Sequence, residues 1–129
     1  MTSYADAPFH CPPDVVIALP LCPSTNNMFV NRGHGRFRSA EYVAWVKEAG
    51  WTLAAQKPPK VFGRVSLTID VAEPKTKRQT DLANREKAVV DLLVTHKIIQ
   101  GDDQRYVREL HMRWRADISG VIVNIRACE

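Results

Sequence analysis

The sequence contains few cysteines, no long apolar run and only a small excess of positive charge. Its three cysteines, Cys11, Cys22 and Cys128, are odd in number and form no C-x-x-C pair, which argues against a disulfide framework and against a zinc site. No apolar run approaches the ~20 residues of a membrane-spanning helix. Residues 1–13 have neither the basic start nor the apolar centre of a signal peptide. We therefore expect a cytoplasmic protein in a reducing compartment, without membrane contact.

Length and charge distribution limit the hypotheses further. A chain of 129 residues fits one domain, residues 1–129, in which the first 13 residues, with three prolines and no periodic pattern, form a loose tail. Lys and Arg number 18 against 14 Asp and Glu, and many proteins without a nucleic-acid role share this net charge of +4. The basic residues are grouped around one acidic segment, which suits a polyanion, although each group alone equally suits solvated surface charge. The groups are Arg32, Arg36 and Arg38 with His34; Lys75, Lys77 and Arg78; and Arg105, Arg108, Arg113 and Arg115.

Hydrophobic patterns predict the element order strand, helix, strand, helix, strand, strand. Strands are expected at residues 14–21, 65–71, 110–116 and 121–125. A first helix is expected at residues 39–56, with Ser39 as its N-cap. A second helix is expected from Thr80 or Asp81 to about His96. The polar segment 26–35 is expected to be a loop, and Ser119–Gly120 to join the last two strands in a hairpin. This order predicts an α+β fold with one mixed β-sheet and two packed α-helices, and with Trp45, Trp51 and Trp114 in the core.

The segment 81–91, followed by the acidic pair at 102–103, concentrates the residues with catalytic chemistry. Asn84, Lys87 and Asp91 are spaced i, i+3 and i+7, which places them on one helical face. Carboxylates that converge from two elements are what Mg²⁺ requires, because it prefers oxygen ligands. Less specific explanations are helix capping for Asp81, a surface ion pair for Lys87 and Asp91, and a simple turn for Asp102 and Asp103.

The pattern D-x-x-N-x-x-K-x-x-x-D followed by D-D resembles that of the RusA family of Holliday-junction resolvases. Residues 19–26, L-P-L-C-P-S-T-N, resemble the family's opening, with Cys22 where a proline is usual. Residues 36–39, with Tyr42, resemble its basic loop and first-helix start. The resemblance covers about residues 15–125. It implies a homodimeric, Mg²⁺-dependent endonuclease, with Mn²⁺ as an alternative cation, that cuts four-way DNA junctions in recombination and repair. It also implies a bacterial, phage or prophage setting.

Carried over position by position, the resemblance assigns three sets of roles. The catalytic residues would be Asp81, Lys87 and Asp103. One extra residue precedes the D-D pair, so the family's acid matches either Asp102 or Asp103. The metal ligands would therefore be Asp81, Asp102 and Asp103. Supporting roles would fall to Asn84, Asp91 and Glu73. DNA contacts would come from Arg36, Arg38, Lys75, Lys77, Arg78 and Arg85.

One departure from the family pattern bears on activity. The family usually has D-x-D-N, and Ala83 stands where the second acid is expected. An alanine cannot bind a metal, so Glu73 or Asp70 would have to supply the missing ligand. The alternative function is a DNA-junction-binding protein whose nuclease activity is weak or lost. A third hypothesis is a small interaction protein with incidental charge, which a lack of salt-sensitive DNA binding would support.

Overall fold

The computed structural model describes residues 14–76 and 79–128; the predicted tail at 1–13 and the predicted DNA contacts Lys77 and Arg78 lie outside them. Within this part of the chain, no helix is both long and apolar enough to cross a membrane. Short 3₁₀ turns form at Thr25–Asn27 and Leu82–Arg85. The main elements, in chain order, are β1 (Val15–Leu19), β2 (Phe29–Arg32), β3 (Gly35–Arg38), α1 (Ala40–Gln56), β4 (Val65–Ala72), α2 (Glu86–Thr95), β5 (Val107–Arg115) and β6 (Val121–Ala127).

Four of the strands form one mixed sheet in the order β1-β6-β4-β5. β4 and β5 are parallel, and the chain between them contains α2, since a parallel pair requires a crossover connection. β6 is antiparallel to both β1 and β4. β2 and β3 form a separate two-stranded ribbon. The mixed sheet and two helices confirm the predicted α+β fold class.

The predicted hairpin between the last two strands is wrong, because β4 lies between β5 and β6. In β6, Val121, Val123 and Ile125 are almost completely buried, which suits a strand in the middle of the sheet. β5 is largely exposed, and its charged residues suit an edge position. The connecting residues 116–120 pass the end of β4, where the Ala72 amide donates to the Gly120 carbonyl at 2.9 Å.

Helix α1 begins and ends as its sequence predicts. The Ser39 hydroxyl accepts a hydrogen bond from the Tyr42 amide at 3.0 Å and so caps the helix. The helix ends at Gln56, and Lys57 follows in a left-handed conformation with φ 47°. The Gln56 side chain accepts from the Ala18 amide at 2.8 Å and donates to the Ala18 carbonyl at 2.7 Å. These two bonds occupy backbone groups at the free edge of β1, which would otherwise be open to pairing with another chain.

The hydrophobic core lies between the sheet and the two helices. Trp45 is buried, and its indole N–H donates to the Pro20 carbonyl at 3.0 Å. Trp114 is half-buried against the core. Trp51 is 74% exposed, so its predicted core position is wrong. Apolar residues occur on most faces of α1, and only one face can pack on the sheet. Fully buried side chains of the core include Ile17, Leu53, Leu67, Ile69, Leu93 and Ile125.

Two segments around the site differ from the prediction. The predicted start of the second helix is a 3₁₀ turn, Leu82–Arg85, and α2 begins at Glu86. The predicted loop at 26–35 contains β2 and the start of β3, which pair in a ribbon with Gly33 at φ 59° in its two-residue turn. Phe29 of this ribbon packs edge-on against Tyr42 of α1, with ring centroids 5.7 Å apart. This contact attaches the ribbon to α1.

Candidate active site

The first sequence motif and the start of the second, about 60 residues apart, line one open cleft of about 490 Å³. Lys87, Asp91, Asp102 and Asp103 are not among its described lining residues. The Thr25 hydroxyl donates to the Asn84 carbonyl at 3.0 Å, which joins the first motif to the turn that carries the second. All the described lining residues except Pro74 are polar. The full set of described lining residues is Ser24, Asn26, Asn27, Pro74, Thr76, Gln79, Thr80, Asp81, Asn84 and Arg85.

A reciprocal pair of bonds between Arg85 and Cys22 holds this wall of the cleft together. The Arg85 guanidinium donates to the Cys22 carbonyl at 2.7 Å, and the Cys22 thiol donates to the Arg85 carbonyl at 3.3 Å. Burial raises the pKa of Cys22 to about 11, so the thiol stays protonated near neutral pH and remains a donor. Arg85 therefore has a structural task, and its predicted contact with DNA stays a prediction.

Asp81 lies directly before the turn Leu82–Arg85, at the position of an N-cap, and it is exposed. Its side chain makes no capping hydrogen bond. Only its backbone carbonyl accepts from the Asn84 amide, at 3.2 Å. Helix capping, the less specific explanation for this residue, therefore does not occupy the carboxylate, which lines the cleft. Ala83, in the same turn, is also exposed.

Lys87, on the first turn of α2, links two carboxylates from different elements. Its Nζ lies 3.1 Å from Oδ1 of Asp91 and 3.8 Å from Oδ2 of Asp102. The hydrogen bond that Lys87 donates to Asp91 is the main cause of a raised Lys87 pKa, and the charges of Asp91, Asp102 and Glu86 add to it. The lysine therefore stays positively charged at neutral pH. The ion pair expected for Lys87 and Asp91 is present.

Glu86 belongs to the same cluster, and sequence reasoning missed it. It is half-buried, and this burial raises its pKa; the charges of Asp91 and Asp102 raise it further, while Lys87 lowers it. At the first position of a helix, a glutamate is ordinarily explained by the helix dipole. Its place next to Lys87 was the only signal in the sequence.

The two acids of the D-D pair face different partners. Asp102 is within 3.8 Å of Lys87. The Asp103 carboxylate accepts three hydrogen bonds from Arg105: from the guanidinium at 3.0 and 2.9 Å, and from the backbone amide at 2.9 Å. The guanidinium bonds are the main reason that the pKa of Asp103 falls to about 2. Asp103 thus organises the turn that leads into β5, while Asp102 lies beside the lysine.

The donor chemistry around the cleft suits a hard cation. Mg²⁺ usually takes one or two protein carboxylates and keeps several waters; Asp81 offers such oxygens in the cleft, and Asp102 offers them beside Lys87. Within residues 14–76 and 79–128, no three His, Cys, Asp or Glu side chains converge as a preformed metal cage. The residues therefore fit a sparsely liganded Mg²⁺ site and not a closed one.

The two acids considered as replacements for the one missing at Ala83 lie in different environments. Asp70 has a side chain only 6% exposed on the open face of the sheet, where it accepts from Arg113 at 2.7 and 2.8 Å and from Arg115 at 3.1 Å. Both of its carboxylate oxygens therefore already accept hydrogen bonds from these arginines. Glu73 is exposed at the end of β4, next to Pro74 of the cleft wall. Of the two, only Glu73 is close in sequence to the cleft.

The basic groups are not equivalent. Arg113 and Arg115 are paired with Asp70, and Arg115 also pairs with Asp117. Arg36 and Arg38 lie instead over aromatic rings, 4.4 Å from the centroid of Phe29 and 5.1 Å from that of Tyr42. They and Lys75 are exposed. Arg36, Arg38 and Lys75 therefore leave positive charge open to a polyanion near the ribbon and the cleft.

An open cleft of carboxylate and amide oxygens, near exposed arginines, has the chemistry that a phosphate-containing polyanion requires. The family model described as endodeoxyribonuclease RusA matches residues 19–126. No protein with a curated description matches the chain. The match spans most of the chain and includes both motifs of the cleft, so the protein belongs to the RusA family of endodeoxyribonucleases.

Proposed function

We propose that this protein is a Mg²⁺-dependent, structure-selective endonuclease that cuts four-way DNA junctions. The observation that carries the proposal is the meeting of the two motifs in one cleft, through the bond from Thr25 to Asn84. Asp81 and Asp102 would hold the cation, and Asp103 would support Asp102 by fixing the turn. When bound, Mg²⁺ supplies a Lewis acid that polarises a phosphate and lowers the pKa of water.

Lys87 supplies fixed positive charge for the phosphate that reacts. Attack of water on phosphorus builds negative charge on the phosphate oxygens, and a cation already in place stabilises it without reorganisation. The Asp91 carboxylate lies 3.1 Å from the ammonium, so it is a positioning residue. Asn84 lines the same cleft, where its amide can orient a carboxylate or a water.

The exposed arginines would hold the DNA backbone. Arg36, Arg38 and Lys75 are exposed, and contacts of this type position a duplex without reading its sequence. A four-way junction must be cut on two strands, and each chain contributes one cleft. We therefore also propose that the protein acts as a homodimer, in which two clefts face symmetry-related strands.

A second candidate is a junction-binding protein with little cleavage. Ala83 favours it, and so does the finding that, among the described residues, no three His, Cys, Asp or Glu side chains are placed to hold a metal ion together. Incubation of the protein with a four-way junction and with a linear duplex of the same sequence, in Mg²⁺ or in EDTA, separates the two. Mg²⁺-dependent cuts confined to the junction support the nuclease. Tight junction binding without cuts supports the binder, and equal binding to both DNAs contradicts structure selectivity.

A further inference from the structure

The ribbon of β2 and β3 carries an apolar pair that the core does not use. Val30 and Phe37 are cross-strand partners, and they are 37% and 53% exposed. Cross-strand partners point to the same face of a ribbon, and neighbours in sequence point to the other. Phe29, which packs on Tyr42 and the core, therefore lies on the opposite face. Val30 and Phe37 form an outward-facing surface.

The Phe37 ring is held in place by a glycine. A Cβ atom built on Gly35 would lie only 2.7 Å from the edge of this ring, so the ring packs against the Gly35 backbone at a distance that any other residue would prevent. One side of the ring is therefore covered by the ribbon's own backbone, and the exposed remainder is open to a ligand.

The surroundings of this surface are cationic. Residues 15–40 contain no Asp or Glu, whereas the ribbon contains Arg32, Arg36 and Arg38. Among the described residues, no carboxylate forms an ion pair with any of these three arginines. Of these arginines, Arg32 alternates with Val30 and so shares the face of the Phe37 ring. An aromatic ring with a cation on the same face matches a nucleotide, which offers a flat base and a phosphate together. An apolar protein surface would satisfy the ring and leave the arginines unpaired.

The ribbon is also attached to the cleft. The Ser39 hydroxyl, directly after β3, donates to the Asn27 carbonyl at 2.6 Å, and Asn27 lines the cleft. A DNA strand that passes through the cleft therefore has the ribbon beside it.

We propose that Phe37 is a base-stacking platform: an unpaired nucleobase at the branch point of a DNA junction stacks on its exposed ring. Arg32, two residues from Val30 and therefore on the same face, holds an adjacent phosphate, while Arg36 and Arg38 carry positive charge on the opposite face, over Phe29 and Tyr42. The inference rests on the proposed action on branched DNA, and it names a contact that this action does not by itself require.

The experiment places 2-aminopurine, a base whose fluorescence is quenched by stacking, at the branch point of a four-way junction. It compares the wild type with Phe37→Ala, Phe37→Leu and Phe62→Ala. Phe62 is 73% exposed in the segment between α1 and β4, so it is a matched control for loss of a surface aromatic. Phe37→Leu keeps an apolar partner for Val30, which separates loss of the ring from disruption of the ribbon.

Wild type and Phe62→Ala should bind the junction and change the 2-aminopurine signal equally. Both Phe37 variants should lose the signal change and bind roughly tenfold more weakly. Their dependence of affinity on salt should be unchanged, because stacking releases no counterions. Unaltered binding and fluorescence in Phe37→Ala would overturn the platform, and so would a change of oligomeric state in both Phe37 variants, which would make the residue a subunit contact.

The same data separate the two proposals. A wild type that binds and stacks without cutting overturns the nuclease and leaves the platform supported. A wild type that cuts normally while Phe37 proves silent overturns the platform alone. No binding to any branched or single-stranded DNA overturns both.

Discussion

The ion pair between Lys87 and Asp91 should affect the cleavage rate much more than the free energy of unfolding, so the two effects can be measured separately. Asp91→Asn keeps the shape of the side chain and removes its charge. The two side chains are 50% and 32% exposed, and the lysine precedes the acid, which is the less favourable order on a helix. The pair should therefore contribute only about 0.2–0.5 kcal/mol to the free energy of unfolding.

The effect on cleavage should be much larger. Without Asp91, the nearest anion to the ammonium is Asp102, 3.8 Å away, and Lys87 moves toward it. A displacement of about 1 Å at a reacting group costs on the order of 100-fold in rate. We expect Asp91→Asn to lower the single-turnover cleavage rate roughly 10- to 100-fold, and Lys87→Met to lower it by about 100- to 1,000-fold, as for removal of one oxyanion donor.

Single-turnover cleavage of a labelled junction, junction affinity and urea unfolding should be measured on each variant. Lys47→Met is the matched control, since Lys47 is an exposed lysine of α1. Affinity and unfolding midpoint should stay close to wild type in all three. An Asp91→Asn variant that cuts at the wild-type rate would refute the positioning of Lys87. A stability loss above about 2 kcal/mol, well beyond a surface pair, would refute the energetic reasoning.

Three further predictions follow from charge. Ala83→Asp adds a carboxylate at an exposed position and should raise the cleavage rate while lowering the Mg²⁺ concentration for half-maximal rate. If the wild type is active and Ala83→Asp has no effect, loss of activity in Glu73→Gln would identify Glu73 as the substitute ligand. Replacing Arg36 and Arg38 by alanine should reduce the slope of log affinity against log salt by about two, and an unchanged slope would show that they do not contact phosphate. The hydrogen bond from Arg113 lowers the pKa of Asp70. The ionised Asp70 carboxylate therefore stabilises the fold fully above the unfolded-state pKa of about 3.9, and this stabilisation is lost as pH falls through the folded-state pKa. Asp70→Asn should therefore reduce the fall in urea midpoint between about pH 5 and pH 2, and an unchanged pH dependence would contradict this.

Local signals in the sequence predicted much of the fold. The Ser39 cap and the period of Tyr42, Val46, Ala49 and Leu53 define α1 within one residue of its observed start. The alternation in residues 65–71 predicts β4, which continues to Ala72. These elements depend on contacts close in sequence. The order and spacing of the two motifs, at residues 19–26 and 81–103, also identified the correct family.

What failed depends on contacts between distant residues. The turn at Ser119–Gly120 gives no sign that β6 pairs with β1 and β4, because that choice depends on which strands bury Val121, Val123 and Ile125. The acids Asp102 and Asp103 are adjacent in sequence, and only the positions of Lys87 and Arg105 distinguish them.

The most direct test of the proposed function is single-turnover cleavage of a four-way junction by wild type and Asp81→Asn, in Mg²⁺ and in EDTA, with junction affinity measured alongside. The Asp81 side chain makes no capping bond, so the substitution should leave stability within about 0.5 kcal/mol of wild type. We expect Mg²⁺-dependent cuts from the wild type, a fall of orders of magnitude in Asp81→Asn, and equal junction binding. Normal cutting by Asp81→Asn would contradict the account, because the catalytic cation would then lie outside this cleft.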